Sequence, residues 1–313
     1  MASVRVTIVG GGGGVGSSSA FNLVVGGSYD IALVDSRPHH VTSHLMDLEQ
    51  VLELCPGSSV RSGDESDVAE CDVCVMAASV PLTVNTSRLV YADDNAAIAD
   101  EIVDRIPRRW PGVLLVVTNP VDPLVTRIQR RSGLDRRQVL GYTMNDSLRL
   151  GTGLAKAFGV APGQVEAWVL GEHGESCVPL LDRVTLNGEQ VEPTTEQAAR
   201  ATEYLGTWYG RHVALDSGRS STWTSGLGIA RMVGAIAQGS DALWPASVTL
   251  EGEYGIGGVA VTVPVTLGPR GVEQIHAWPL ARDDLDALRA SAELVREVAD
   301  GIAARPRDLS RLG

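Results

Sequence analysis

Four short runs of β-branched and aliphatic residues punctuate the first half of the chain. They fall at 4–10 (VRVTIVG), 30–35 (DIALVD), 71–78 (CDVCVMAA) and 112–118 (GVLLVVT). Each is continuous rather than alternating, the pattern of a strand covered on both faces. Between them lie SSSAFNLVV, HLMDLEQVLEL and NAAIADEIVDRI, which have helical length and period. Strand and helix in alternation imply right-handed βαβ crossovers and a parallel, doubly wound sheet.

After about residue 142 the grammar changes. Helical segments at 146–158, 194–214 and 223–238 precede a strand-rich block, ASVTLEGEY, GGVAVTVPVTLG and GVEQIHAW, whose runs are separated by turn residues. Such spacing predicts antiparallel pairing. A last helix is expected from Asp283 to Ala304, with Leu285, Leu288, Leu294, Val295 and Val298 as its inner face. The chain therefore reads as α/β, with residues 1–142 as one domain and 143–313 as an α+β domain with antiparallel strands.

A net charge of −12 and a pI near 4.9 argue against a nucleic-acid or anionic-membrane partner. No stretch approaches the ~20 apolar residues of a membrane span. The first strand starts almost at once, without the layout of a signal peptide. Cysteines at 55, 71, 74 and 177 are too few and scattered for a disulfide scaffold. A reduced, cytoplasmic compartment is expected. Cys71 and Cys74 form a CxxC, but within a strand residues three apart face opposite sides. His40, His44 and Asp47 share a helix face by spacing alone, which is no basis for a metal site. Those histidines, with His39, His212 and His276, read as structural. Arg108 and Arg109 beside Trp110 read as a solvated helix end.

The first strand runs directly into five glycines. The turn can be framed as GxGxxG on Gly11, Gly13 and Gly16, or as GxxGxxG on Gly10, Gly13 and Gly16. It follows a strand, opens a helix, and is followed 19 residues after Gly16 by Asp35 at the end of the next strand. This is the context a dinucleotide needs in a Rossmann-type sheet. Glycines let pyrophosphate approach backbone N–H groups at a helix N-terminus. Asp35 would accept from the adenosine ribose hydroxyls and repel a 2′-phosphate, which favours NAD over NADP.

A second constellation lies in NDSLR (145–149) and GEHGES (171–176). Asp146 and Arg149 stand i, i+3 on a helix and project into the same space. His173 lies 27 residues beyond Asp146. An imidazole held by a carboxylate is a tuned proton carrier, and an arginine beside it is a fork for a substrate carboxylate. Glycines on each side of Glu172-His173 allow close approach.

With these runs, and with LVDS, VTNPVD (117–122) and WPASVTLEGEYG (244–255), the chain resembles the lactate/malate dehydrogenase family. It is most similar to the lactate-dehydrogenase-like malate dehydrogenase branch. The resemblance implies an NAD-dependent oxidoreductase acting on a small 2-oxo or 2-hydroxy acid, assembled as a homodimer or homotetramer. It implies that His173 is the acid/base, Asp146 its orienting carboxylate and Arg149 the substrate-carboxylate clamp. Arg88, in PLTVNTSR, would polarise the carbonyl from a mobile loop. Asn119 would lie between nicotinamide and substrate, and Asn95 near the cofactor.

Two positions depart from the family. Leu82 stands where malate dehydrogenases carry arginine after the loop proline. Gly218-Arg219-Ser220-Ser221 replaces the family's Lys-Gly-x-Thr, placing Ser221 at the substrate pocket. Substrate identity is therefore open, with malate dehydrogenase proper as the alternative within the class. A non-catalytic NAD(H)-binding regulator and an NAD-dependent glycosidase are the alternatives outside it. The proton-carrying set disfavours the first. Chain length and GEHGES disfavour the second.

Overall fold

The computed structural model describes residues 3–80 and 91–302. The four runs form β1 (Val4–Val9), β2 (Tyr29–Val34), β4 (Val73–Met76) and β5 (Val113–Val116), with β3 (Ser59–Ser62) and β6 (Val139–Tyr142) completing a parallel set. Its order is β3-β2-β1-β4-β5-β6. The continuous apolar character of β4 and β5 has its explanation here, since every residue of both is buried. Their connections are α1 (Gly14–Gly26), α2 (Pro38–Leu54), α3 (Asp67–Glu70), α4 (Ala92–Asp104) and α5 (Val121–Ser132). The strand order reverses between β1 and β4, and the crevice beyond their carboxyl ends is where such sheets take ligands.

The second half contains α6 (Met144–Phe158), β7 (Val165–Leu170), β8 (Val178–Leu186), β9 (Glu189–Gln190), α7 (Thr195–Val213), α8 (Thr222–Gln238), β10 (Ser240–Glu251), β11 (Gly257–Gly268), β12 (Gly271–Ile275) and α9 (Arg282–Gly301). Its strands pair antiparallel, as their turn spacing predicts. They do not all stand apart from the parallel sheet, however. Strand β10 pairs with β6 through Ala246–Tyr142, Ser247–Gly141 and Val248–Leu140, so β10, β11 and β12 extend one nine-stranded sheet. Without β10, the edge of β6 would present unpaired backbone groups. Strands β7, β8 and β9 form a second sheet. The two sheets meet at Gly171 and Thr262, which exchange N–H···O bonds of 3.1 and 2.8 Å. GEHGES begins at that junction.

Three local expectations change. Leu294 is 48% exposed, and the inner stripe of α9 is Leu288, Ala292, Val295 and Ala299. Leu294 is one residue, about 100° of helix, away from Val295. Cys71 ends α3 instead of starting a strand, so both CxxC thiols enter the same buried cluster. Trp110 is buried and its indole N–H donates to the Cys71 carbonyl at 3.1 Å, while Arg108 and Arg109 are exposed. No described helix is long and apolar enough to cross a membrane.

Candidate active site

The glycine turn leaves β1 at Gly10, where φ is +93°. A Cβ there would come 2.5 Å from the Ala78 nitrogen at the end of β4, and one on Gly16 would come 2.2 Å from the Gly10 carbonyl oxygen. Backbone thus touches backbone across the point where the strand order reverses, and only glycine fits. Gly13 N–H donates to the Gly10 carbonyl at 3.0 Å and caps α1, which has no acidic residue in its first turn. Gly11 packs against Leu33.

Asp35 stands beside this turn. Its Oδ2 accepts from Gly12 N–H at 2.9 Å, and its Oδ1 accepts from the Arg37 N–H at 3.0 Å and Nε at 3.4 Å. The carboxylate is already anchored by its own chain, and its side chain is only 6% exposed. Asn95 is buried and braces the crevice. Its Oδ1 accepts from Val80 N–H at 2.9 Å, and its Nδ2 donates to the Asn119 carbonyl at 2.7 Å. The Asn119 side-chain Oδ1 is buried without a hydrogen-bond partner among the described residues. A glycine-lined turn beside a helix N-terminus and an unsatisfied amide in the same cleft fit a dinucleotide.

The cleft continues from Val15, Asn95 and Asn119 to Arg149, His173 and Ser221. Asp146 and Arg149 lie one turn apart on α6, and Arg149 Nη1 donates to Asp146 Oδ1 at 2.9 Å. Asp146 Oδ2 makes a short contact with His173 Nδ1. A carboxylate only accepts, so Nδ1 is the protonated nitrogen and Nε2 is the one through which a proton can pass to a ligand. All three side chains are at most 10% exposed. Removing one member of so buried an ion pair costs about 3–5 kcal/mol. A guanidinium has five N–H donors, and the bond to Asp146 uses one of them. One face of that guanidinium lies 4.0 Å from the Trp208 ring centroid.

The loop carrying His173 is fixed by its own residues. Glu172 N–H donates to Ser291 Oγ at 2.8 Å, and the Glu172 carboxylate accepts from Ser176 Oγ at 2.6 Å. Gly171, at φ +84°, allows the approach to Ser291. The close contacts of the two flanking glycines are thus internal to the protein, Gly174 lying against Glu172.

Asp122, the last residue of VTNPVD, was not singled out by the sequence reading. It is 1% exposed, and its Oδ2 accepts from the His173 backbone N–H at 2.6 Å. Burial pushes its carboxyl up to about 7; Glu172 and Asp146 add to this, and the Ser247 hydroxyl and the His173 N–H oppose it. Its position two residues into α5 was a sequence signal, since acidic residues favour first turns. Asn145 is likewise new. It accepts from the Tyr142 hydroxyl at 2.9 Å and donates to Ser225 Oγ at 2.9 Å, tying α6 to α8. Ser221 precedes the first residue of α8 and lines the cleft. Leu82 and Arg88 lie outside the described residues. Among the described residues no cluster of three or more His, Cys, Asp or Glu could hold a metal.

Strand order and glycine turn together define a Rossmann-type dinucleotide-binding protein. Residues 4–141 match the lactate/malate dehydrogenase NAD-binding domain, and residues 143–304 match that family's α/β C-terminal domain. The chain belongs to the lactate/malate dehydrogenase family, whose members are NAD-dependent oxidoreductases acting on hydroxy acids. It is 31% identical to a malate dehydrogenase of Halobacterium salinarum over 96% of this chain and 99% of the relative. It is also 31% identical to an L-lactate dehydrogenase of Treponema denticola, over 94% and 96%. Among solved structures, a ligand-bound minor L-lactate dehydrogenase of Enterococcus mundtii superposes with a TM-score of 0.86 at 25% identity, covering 97% of this chain and 99% of that one. A malate dehydrogenase of Cryptosporidium parvum shares the fold at a TM-score of 0.90 and 24% identity, covering 96% and 99%.

Proposed function

We propose that this chain is an NAD-dependent L-2-hydroxyacid dehydrogenase whose substrate has an uncharged side chain. The observation that supports this is the contact chain Arg149–Asp146–His173, set in a cleft that continues to the glycine turn. Residues 1–142 would bind cofactor through Gly10, Gly11, Gly13, Gly16, Asp35, Asn95 and Asn119. Residues 143–313 would bind the acid. NAD, when bound, accepts the hydride from the alcohol carbon or returns it to the ketone carbon.

Arg149 would hold the substrate carboxylate in two hydrogen bonds. His173 Nε2 would give its proton to the ketone oxygen during reduction and take it back during oxidation. Asp146 stabilises the protonated ring and fixes its tautomer. Asp122 fixes the backbone that carries it. Arg88 would offset charge growing on the oxygen. Leu82, in place of arginine, leaves a second substrate carboxylate without that partner. Phe21 and Val25 on α1, with Trp223 and Leu227 on α8, are exposed apolar pairs that favour assembly as a homodimer or homotetramer. Equilibrium sedimentation of a monomer would contradict that assembly.

Malate dehydrogenase is the second reading, because Arg219 also lines the cleft and could meet an anionic tail. NADH oxidation with pyruvate, 2-oxoisocaproate and oxaloacetate tests both. Oxaloacetate as the best substrate, with activity surviving Arg219→Ala, would sink the reading from Leu82.

A further inference from the structure

Beyond Arg149 and His173 the cleft ends in a wall of α7 side chains, Trp208, Tyr209, His212 and Val213, faced by the loop 216–221. Trp208 contacts two planar groups from different elements. The Arg149 guanidinium is 4.0 Å from its centroid, and the His212 ring is 5.0 Å away with only 13° between planes. His212 Nε2 faces the Arg219 carbonyl oxygen at 2.9 Å. A carbonyl only accepts, so this nitrogen carries the hydrogen, and the bond ties α7 to the loop. The charges near this wall are balanced, with Asp216 and Arg219 both in the loop. The Arg219 guanidinium rests 5.1 Å from the ring of Trp223, an indole 69% exposed.

We propose that this wall is a side-chain subsite for aromatic 2-oxo acids, so that arylpyruvates are the preferred substrates. The inference rests on the assignment of Arg149 and His173 under the proposed function. With the carboxylate on Arg149 and the ketone oxygen on His173, the substrate tail has the α7 wall before it. Rings with a common plane direction accept another ring in offset or edge-on contact at 4.5–7 Å centroid separation. Such a contact is worth about two- to tenfold in efficiency beyond area burial, and filling an apolar pocket adds about tenfold or more. A carboxylate tail would meet this aromatic surface, with Asp216 offsetting Arg219 in the loop.

The test compares kcat/KM for phenylpyruvate, 2-oxoisocaproate, pyruvate and oxaloacetate with NADH, in wild type, His212→Ala and His212→Phe. Phenylpyruvate should exceed pyruvate by about tenfold or more in wild type. His212→Ala should lower phenylpyruvate efficiency about tenfold more than pyruvate efficiency, mainly through KM. His212→Phe keeps a ring without the bond to the Arg219 carbonyl and should restore most of the difference. Pyruvate, 2-oxoisocaproate or oxaloacetate as the best substrate would overturn the subsite, as would equal losses on phenylpyruvate and pyruvate. Failure of every 2-oxo acid would instead overturn the dehydrogenase assignment itself, together with the inference built on it.

Discussion

The two ends of the cleft are built by different means. At the cofactor end the turn itself is built from backbone, with the side chains of Asp35, Asn95 and Asn119 beside it. Gly10, Gly13 and Gly16 lie within seven residues and act through missing side chains. At the proposed substrate end the groups are side chains drawn from distant segments: Asp122 from α5, Asp146 and Arg149 from α6, His173 from the β7–β8 loop, and Trp208 and His212 from α7. A backbone site of this kind is rigid and tolerates no added atom. A side-chain site of the proposed kind can change one wall while the rest stays in place; in sequence, Leu82 and Arg219 depart from the family pattern and His173 keeps it.

The largest effect expected on that contrast is at Gly10. Gly10→Ala meets a left-handed backbone and a Cβ 2.5 Å from the Ala78 nitrogen, so it should destabilise by about 2–5 kcal/mol. Chemical denaturation measures it. A loss below about 1 kcal/mol would show that the turn is looser than a backbone-built site requires.

A smaller effect is expected at Asp35, the one side chain on which cofactor choice is proposed to depend. Wild type should prefer NADH to NADPH, and Asp35→Ser should narrow the ratio by about tenfold, or about 1.4 kcal/mol. The ratio of kcat/KM values checks this. Comparable wild-type efficiency with both cofactors would remove Asp35 from the ribose site.

A third effect, on stability and spread over pH, is expected at Asp122. Its folded carboxyl is raised to about 7, above the ordinary value near 3.9, so between those values the folded state binds more proton than the unfolded state. Stability from this group is present at low pH and is lost as pH rises towards 7, with a slope of up to about 1.4 kcal/mol per pH unit. Asp122→Asn keeps an acceptor for the His173 N–H and removes the titration. Relative to wild type, the variant should therefore fare better at pH 8 than at pH 5 in denaturant melts. A difference that does not vary with pH would contradict a protonated Asp122.

The same contrast explains what the sequence made legible. The parallel strands and glycine turn were readable because their signals are local: four apolar runs, and an acid 19 residues after Gly16. Asp146, Arg149 and His173 were readable from one helical spacing and one motif. The pairing of β10 with β6 was not, because Ala246 and Tyr142 lie far apart and an edge strand carries no mark of its partner. Nothing in the sequence marks Trp208, since only the tertiary approach of α6 brings Arg149 onto its ring. His212, which reads as structural from sequence, lines the cleft.

The central claim is that proton transfer resides in His173 while cofactor binding does not. Fluorescence titration of His173→Asn with NADH, alongside its turnover of the best 2-oxo acid, tests it most directly. The account predicts an NADH dissociation constant within about twofold of wild type and a kcat lowered by about 10²–10⁴. Turnover retained within about tenfold of wild type would place the acid/base elsewhere and contradict the account.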